Sequence, residues 1–434
     1  MTTPTPPLTP LSIPDFRAFW LARCAATLAQ TGMVVAIGYQ FYDIARSGDR
    51  LSITAASFRL GMLGLAQFVP LFLLTPVAGL IADRIERRRV VAAALAVDLG
   101  IALALALLTH AGGVTLPLLY GLAAAHGVAR VFLGPAMSSI GPNIVPAEIL
   151  PRAIAFSSIA MQVGTIGGPA AAGLLFAAGA ALPYWAASVL MAVAIGCIML
   201  IRPVHVPAAN RRADPLRQLR EGFAYVVTQR FLLGCMTLDL FAVLLGGATA
   251  LLPVYARDIL QVGPQGLGQM RAAPAVGAVV VGLALSARPL ARDVGAKMLW
   301  AVAIYGAATV VFGLSHIYVL SLAMLALLGA ADMVSVFIRS SLIQLHTPDD
   351  RRGRISAISG LAISASNELG EMESGVAAAL LGPVGAVVLG GIAAVAITGA
   401  WAVLFPEIRR ARTFARPEAV TAAEEAVLKE ESAL

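Results

Sequence analysis

The sequence is poor in charge, in cysteine and in histidine, and each shortage excludes a class of protein. Charged residues make up 13% of the 434 residues, which is about half the share found in soluble globular proteins. The cysteines Cys24, Cys197 and Cys235 lie in apolar stretches and lack the spacing of a metal site or a disulfide framework. The five histidines are scattered, and no catalytic cluster or nucleotide-binding loop is present. We therefore expect that the protein is not an enzyme and that it binds no cofactor, metal or nucleic acid.

Apolar residues are abundant, and they predict a protein that lies in a lipid bilayer. They make up 59% of the chain, and the mean hydropathy is +0.84. A membrane-crossing helix needs about 20 mostly apolar residues. Twelve stretches meet this requirement, at 17–45, 55–82, 90–110, 116–145, 153–180, 182–201, 230–257, 266–287, 296–314, 317–346, 354–381 and 384–405. We predict an all-α membrane protein with twelve transmembrane helices.

The positions of lysine and arginine give the expected orientation. Most of them fall in the loops on one side, including the runs at 84–89, 211–220 and 409–416. The residues assigned to the opposite side are Arg46, Arg50, Arg59, Arg257 and Arg271. Basic loops collect in the cytoplasm, so both termini are expected there.

The spans divide into two repeats. The polar loop 202–229 separates six spans from six, and residues 202 positions apart match across it: Pro146 with Pro348, and Arg152 with Arg354. Two six-helix repeats around a central cavity are an architecture of secondary transporters. The predicted boundaries are a cytoplasmic segment 1–16, bundles 17–201 and 230–405, the linker 202–229 and a cytoplasmic tail 406–434.

A charged motif follows the second span. Gly79, Asp83, Arg84 and Arg87 have the spacing Gly-x-x-x-Asp-Arg-x-x-Arg. This segment resembles the signature of the major facilitator superfamily, although Glu86 stands where that family usually has glycine. The resemblance implies the major facilitator fold and a cytoplasmic gate formed by these four residues. Read without the resemblance, the arginines are a positive-inside loop.

The fifth span carries Gly164, Gly168, Pro169 and Gly173. Small residues at this density favour close helix packing, and proline bends a helix. A packing role is therefore predicted for all four, with contact to a ligand as the alternative. The string also resembles the motif of the antiporter branch of the superfamily, with Ala172 in place of one glycine, which implies export.

The eleventh span contains three acids, and a charge at the bilayer centre costs about 2.5–3.5 kcal/mol on insertion scales. Glu368 and Glu371 are three residues apart and share a helix face, whereas Glu373 points elsewhere. Their repeat equivalents, Ile166 and Pro169, cannot titrate. We expect Glu368 or Glu371 to couple transport to protons. The alternative is a structural role, in which the acids pair with Arg339 or cap bent backbone.

Other polar residues inside the spans extend the candidate site. Asp239 is a competing proton-coupling acid, or else a partner of Arg23. Arg130 and Asp332 are repeat equivalents of opposite sign, and they are expected to meet as a salt bridge or as part of a substrate site. Asp98 is assigned a structural role. The predicted substrate cavity comprises Arg130, Asp332, Arg339, Asn367, Tyr39 and Phe337.

The whole chain resembles the enterobactin-exporter-like branch of the superfamily. The segments that carry this resemblance are Pro-Asp-Phe-Arg-Ala-Phe-Trp at 14–20, Gly-Pro-Ala at 134–136 and Asn-Glu-Leu-Gly-Glu-Met-Glu-Ser-Gly at 367–375. The resemblance implies a monomeric, proton-coupled exporter of an amphipathic or anionic small molecule, of the drug or siderophore class, in a bacterial inner membrane. An importer or facilitator of an organic solute with the same fold is the alternative. A membrane enzyme or a sensor is disfavoured by the missing catalytic cluster and the short tail.

Overall fold

The computed structural model describes residues 9–203, 215–288, 290, 292–348 and 351–414. Within these ranges the chain is helical and contains no β-strand. The α-helices are α1 (Pro14–Asp43), α2 (Ile53–Arg84), α3 (Arg87–His110), α4 (Leu116–Ile140), α5 (Leu150–Ala178), α6 (Leu182–Leu200), α7 (Pro215–Thr228), α8 (Arg230–Leu245), α9 (Leu252–Val254), α10 (Gly263–Ala287), α11 (Val294–Leu314), α12 (Tyr318–His346), α13 (Arg352–Leu404) and α14 (Pro406–Arg409).

The helices provide twelve crossings, which confirms the predicted fold class. In the part of the chain described, eleven segments are long and apolar enough to span a bilayer. One of them, in α13, breaks at Gly382, whose φ of 75° suits a residue without a Cβ atom. Before the break, Gly375 packs against α2; after it, Gly391 packs against α11. The chain therefore crosses twice within α13, as spans 354–381 and 384–405 predicted.

The same backbone irregularity ends the first span of each half. The turns Ile44–Gly48 and Tyr255–Ile259 are π-helical, and each is followed by a non-glycine residue in the left-handed region, Arg50 and Gln261. These two residues are 211 positions apart, as are the starts of the two π-turns. The two halves are therefore related in backbone geometry as well as in sequence.

Two helix pairs join the halves. Inside the first half, α1 packs on α5 and α6, and α4 packs on α2 and α3. Inside the second half, α10 and α11 pack on α12, and α8 packs on α13. Between the halves the principal contacts are α2 with α13 and α5 with α10. The space between these two pairs is where the candidate site lies.

The segment 202–229, drawn as a polar linker from the sequence, contains the helix α7, which the sequence reading missed. This helix packs on α13 and α8, and the guanidinium of Arg351 lies 4.6 Å from the centre of the Tyr225 ring. A helix of this length is marginal alone and depends on tertiary packing, which a polar composition does not reveal.

Candidate functional site

A cavity of about 610 Å³ lies between the two halves, within the size range of small-molecule sites. Both halves line it, and its walls include backbone from the two inter-half helix pairs. Its polar lining is Thr31, Gln67, Arg130, Gln162, Thr165, Thr249, Arg271, Tyr305, Asp332, Asn367 and Glu371. The cavity thus offers both signs of charge and several hydrogen-bonding groups inside an apolar bundle.

The structure brings four of the predicted site residues into this one cavity: Arg130, Asp332, Asn367 and Glu371. Arg130 comes from α4 and Asp332 from α12, so the repeat-equivalent charges face one space from opposite halves. The side chain of Glu368, the other predicted coupling acid of α13, lies outside the described part of the structure. The sequence identified this group because charged residues inside apolar spans are rare.

Glu371 sits at the contact between α2 and α13. A Cβ atom added to Gly61 would lie 2.6 Å from the Cα atom of Gly375, so the two backbones approach closely. One turn further along α2, a Cβ atom on Gly64 would lie 2.8 Å from the Oε2 atom of Glu371. The glycine therefore leaves the space that the carboxylate occupies at the cavity wall.

Asp239 pairs with Arg339, not with Arg23. The carboxylate of Asp239 and the guanidinium of Arg339 form a salt bridge inside the second half, where both residues are buried. The guanidinium of Arg23 lies 6.0 Å from the centre of the Phe19 ring instead. Asp239, Tyr305 and Asp332 line a small pocket beside this pair. Arg339 therefore already has an acid partner in α8.

Two aromatic residues assigned to the cavity from the sequence pack elsewhere. Tyr39 is 8% exposed and makes an edge contact with Phe176, with ring centres 5.2 Å apart, in a hydrophobic cluster formed by residues of both halves. Phe337 makes an edge contact with Phe414 at 6.2 Å. Apolar surface is most often buried against other apolar surface, and here that packing outweighs exposure to a polar cavity.

Arg271 is a cavity residue that the sequence reading placed wrongly in the loops. It lies in α10, eight residues after the helix begins at Gly263, or about 12 Å along the axis. It lines the central cavity. The charge itself was the available signal, because an arginine within the drawn span 266–287 is costly unless it has a function.

Reciprocal ion pairs join the halves at the end of the molecule away from the termini. Arg46 Nη2 lies 3.1 Å from Asp258 Oδ1, and the Tyr42 hydroxyl donates to Asp258 Oδ2 at 2.6 Å. Arg257 Nη1 lies 3.1 Å from Asp43 Oδ1 and donates to the Asp43 carbonyl at 2.9 Å. Arg46 and Arg257 are 211 positions apart, so they are equivalent residues. Each half thus contributes an equivalent arginine to an ion pair with the other half.

The hydrophobic packing differs between the two ends of the bundle. At the end with the ion pairs, one buried cluster contains residues of both halves, such as Met33 and Tyr42 with Tyr255 and Met270. At the end with the termini, the described residues form separate clusters, one from the first half and one from the second. Among the described buried residues, the two halves therefore share a hydrophobic cluster at one end and form separate clusters at the other.

The charged motif after α2 makes its described contacts within its own half. Arg87 donates to the Ser139 carbonyl at 3.1 Å, and Glu86 pairs with Arg88 at 3.0 Å and with Arg89 at 2.9 Å. Glu86 thus holds neighbouring arginines where the family usually has glycine. The surroundings of Gly79 and the side chains of Asp83 and Arg84 are not among the described parts of α2, so their gate role stays a prediction.

The glycines of the fifth span lie at close helix contacts. A Cβ atom on Gly164 would lie 2.4 Å from Thr27 Cβ, and one on Gly168 would lie 2.6 Å from the Leu28 carbonyl oxygen, both in α1. A Cβ atom on Gly173 would lie 2.8 Å from the Cα atom of Gly268 in α10. Pro169 lies inside α5 between these contacts and lines the cavity.

A buried polar network in the first half was only partly anticipated. His126 Nδ1 lies 2.9 Å from Asp98 Oδ1, and Gln30 Nε2 donates to Asp98 Oδ2 at 2.8 Å. His126 and Asp98 are fully buried. These contacts join α1, α3 and α4, consistent with the structural role expected for Asp98. His126 was missed because a lone histidine in an apolar span gives no pattern.

Twelve crossings in two related halves around a polar cavity define a secondary transporter of the major facilitator type. The chain belongs to the family described as "Transmembrane secretion effector", whose profile matches residues 5–429. It is therefore a membrane transporter of small molecules.

Similar proteins are found among characterised sequences and solved structures. The enterobactin exporter EntS of Escherichia coli O1:K1 is 27% identical over 95% of this chain and 96% of its own length. EntS of Shigella dysenteriae serotype 1 is 28% identical over 85% of each chain. A bacterial homologue of the lysosomal transporter Spinster, solved inward-facing and occupied, has a TM-score of 0.68 at 14% identity, covering 93% of this chain and 99% of that one. An inward-facing bacterial homologue of ferroportin has a TM-score of 0.61 at 18% identity, covering 91% and 99%.

Proposed function

We propose that this protein is a proton-coupled exporter in a bacterial inner membrane. It moves an amphipathic or anionic small molecule, of the drug or siderophore class, as a monomer with both termini in the cytoplasm. The two halves rock about the central cavity and expose it to each side in turn. An importer or facilitator with the same fold is the alternative function.

The observation that carries the proposal is the position of Glu371. Its carboxylate lies at the α2–α13 contact and at the wall of the cavity. An acid in that place can exchange a proton with the cavity, and its charge bears on the contact that must shift when the halves rock. The equivalent contact, between α5 and α10, carries Pro169 in the same position. A helix pair of this kind therefore packs without a carboxylate, which supports a functional role for Glu371.

Two further observations support alternating access. Ion pairs and a shared hydrophobic cluster join the halves at the end away from the termini. At the other end, the buried residues that the structure describes form separate clusters, one in each half. With the termini in the cytoplasm, this arrangement is closed to the outside. The export direction is supported by the similarity to enterobactin exporters.

The test is a flux assay in proteoliposomes with and without a proton gradient. Enterobactin, which gives the relatives their name, is the first compound, followed by a panel of drugs and organic acids. Glu371→Gln keeps the shape of the side chain and removes titration. We expect this variant, or Glu368→Gln, to lose gradient-driven efflux and to keep substrate binding and exchange.

Glu373→Gln is the matched control, because it removes an acid from the same helix two residues away. It should retain gradient-driven efflux. If Glu368→Gln and Glu371→Gln both still concentrate substrate with unchanged dependence on external pH, α13 is not the coupling helix. If the gradient drives uptake in the wild type, the alternative function is correct.

A further inference from the structure

The two helix contacts between the halves share the same close approach of glycines. Gly61 of α2 meets Gly375 of α13, and Gly268 of α10 meets Gly173 of α5. In each pair, the carbonyl four residues before the second glycine also faces the first glycine. The Glu371 carbonyl oxygen would lie 3.2 Å from a Cβ atom on Gly61, and the Pro169 carbonyl oxygen 2.7 Å from one on Gly268.

The two contacts differ in charge: one carries an acid and the other carries a cation. Three residues after Gly61 stands Gly64, which faces the carboxylate of Glu371. Three residues after Gly268 stands Arg271, on the helix that faces Pro169. One contact therefore presents an acid beside a glycine, and the other presents a cation opposite a proline. Both charges line the central cavity.

Arg271 lacks a protein partner for part of its guanidinium. Its Nε atom is buried and has no hydrogen-bond acceptor among the described residues. Arginine stays charged at any physiological pH, so burial cannot be relieved by loss of a proton. A buried donor without an acceptor is unfavourable. The buried Nε atom itself is out of reach of a ligand, but Arg271 also lines the open cavity, where a ligand can supply acceptors to the rest of the guanidinium.

We propose that Arg271 binds the negatively charged oxygens of the transported molecule. A guanidinium forms paired hydrogen bonds with a carboxylate or a similar oxyanion. The apolar wall around it, which includes Val34, Val35 and Pro274, suits the hydrocarbon part of an amphipathic anion. This assignment rests on the proposed transport of small molecules through the cavity, and it selects the anionic class of substrate.

The test uses the purified full-length protein in detergent and two probes that differ in charge. Salicylate and salicylamide share a ring and a hydroxyl group, but only the first is an anion at neutral pH. Radiolabelled salicylate should bind saturably, and unlabelled salicylamide should compete poorly. Arg271→Gln should weaken salicylate binding by about tenfold or more, since hydrogen bonds to charged groups are the strong ones.

Arg271→Lys keeps the charge and should lose less affinity than Arg271→Gln. Arg59→Gln is the matched control, because Arg59 is exposed and pairs with Asp49 at the surface; its binding should match the wild type. Equal affinity of the wild type for salicylate and salicylamide would overturn the proposal, as would unchanged binding in a folded Arg271→Gln variant. If that variant does not fold, the proposal is tested by two other results: the preference of the wild type for salicylate over salicylamide, and the salicylate affinity of Arg271→Lys.

Binding in detergent requires neither a proton gradient nor an orientation in the membrane. Failure of the proposed exporter function would appear as absent or reversed gradient-driven flux with anion binding intact. If Arg271 does not bind anions, the affinity will depend neither on the charge of the probe nor on the charge of residue 271, whatever the direction of transport.

Discussion

The buried pair of Asp239 and Arg339 should be far more sensitive to the loss of one partner than to the loss of both. Their side chains are 9% and 5% exposed. Breaking a buried ion pair by removing one partner costs about 3–5 kcal/mol, because the other charge stays buried without compensation. We expect Asp239→Asn and Arg339→Gln each to destabilise the protein by this amount. The double variant should be more stable than either single variant.

The surroundings of the pair predict which single change is worse. Asp332 lines the same small pocket as Asp239 and interacts electrostatically with both members of the pair. In Asp239→Asn, Asp332 remains as a second acid near the arginine. In Arg339→Gln, two acids are left without that cation. Arg339→Gln should therefore lie at the upper end of the range of about 3–5 kcal/mol, and Asp239→Asn at the lower end.

The native Cys235 provides the assay. It lies one turn before Asp239 in α8 and is fully buried, so a thiol-reactive fluorophore reaches it only on unfolding. With Cys24 and Cys197 replaced by alanine, thermal unfolding in detergent reports on this region alone. The surface pair Arg59–Asp49, whose side chains are 45% and 47% exposed, is the control and should contribute at most about 1 kcal/mol. Additive losses, or single variants as stable as the wild type, would refute the reasoning.

The same variants separate two roles for Asp239. If Asp239 is the proton-coupling acid, the double variant folds but loses gradient-driven efflux. If the pair is structural, the double variant keeps efflux, and coupling rests with the acids of α13.

Further predictions concern the contacts between and within the halves. Asp83→Asn should lower the transport rate while leaving folding and substrate binding intact; a wild-type rate would make Asp83 an ordinary loop charge. For Arg130 and Asp332, a double-mutant cycle on transport should place the double neutral variant closer to the wild type than either single variant, whereas additive losses would mean that the two do not interact. Gly61→Ala should slow transport severely, since its Cβ atom would lie 2.6 Å from the Gly375 backbone, whereas Gly100→Ala meets nothing within 4 Å and should match the wild type in initial rate. Arg46→Asp should open the end away from the termini, measured as faster labelling of a cysteine at position 34 by an impermeant thiol reagent from that side. Adding Asp258→Arg should slow the labelling again, and labelling indifferent to both changes would exclude the ion pairs as a gate.

The sequence by itself determined the class of protein and the number of crossings. Runs of about 20 apolar residues have few stable structures other than helices in a membrane, because lipid leaves every backbone hydrogen bond to be made within the chain. The sequence also predicted where α13 breaks, because Gly382 lies between the last two predicted spans. The charges Arg130, Asp332 and Glu371 stood out because an ionisable residue in lipid is expensive.

Only the tertiary structure decided which of these charges share a cavity and which neutralise one another. Asp239 was open to several partners in the sequence, and its pairing with Arg339 depends on how α8 and α12 pack. Arg271 was assigned to a loop, whereas it lies in α10 and lines the cavity. Tyr39 and Phe337 were predicted at the cavity from their residue type alone, but aromatic rings pack wherever neighbouring helices offer apolar surface. Which side chains meet depends on the distances between packed helices, and these distances cannot be read from the order of residues along the chain.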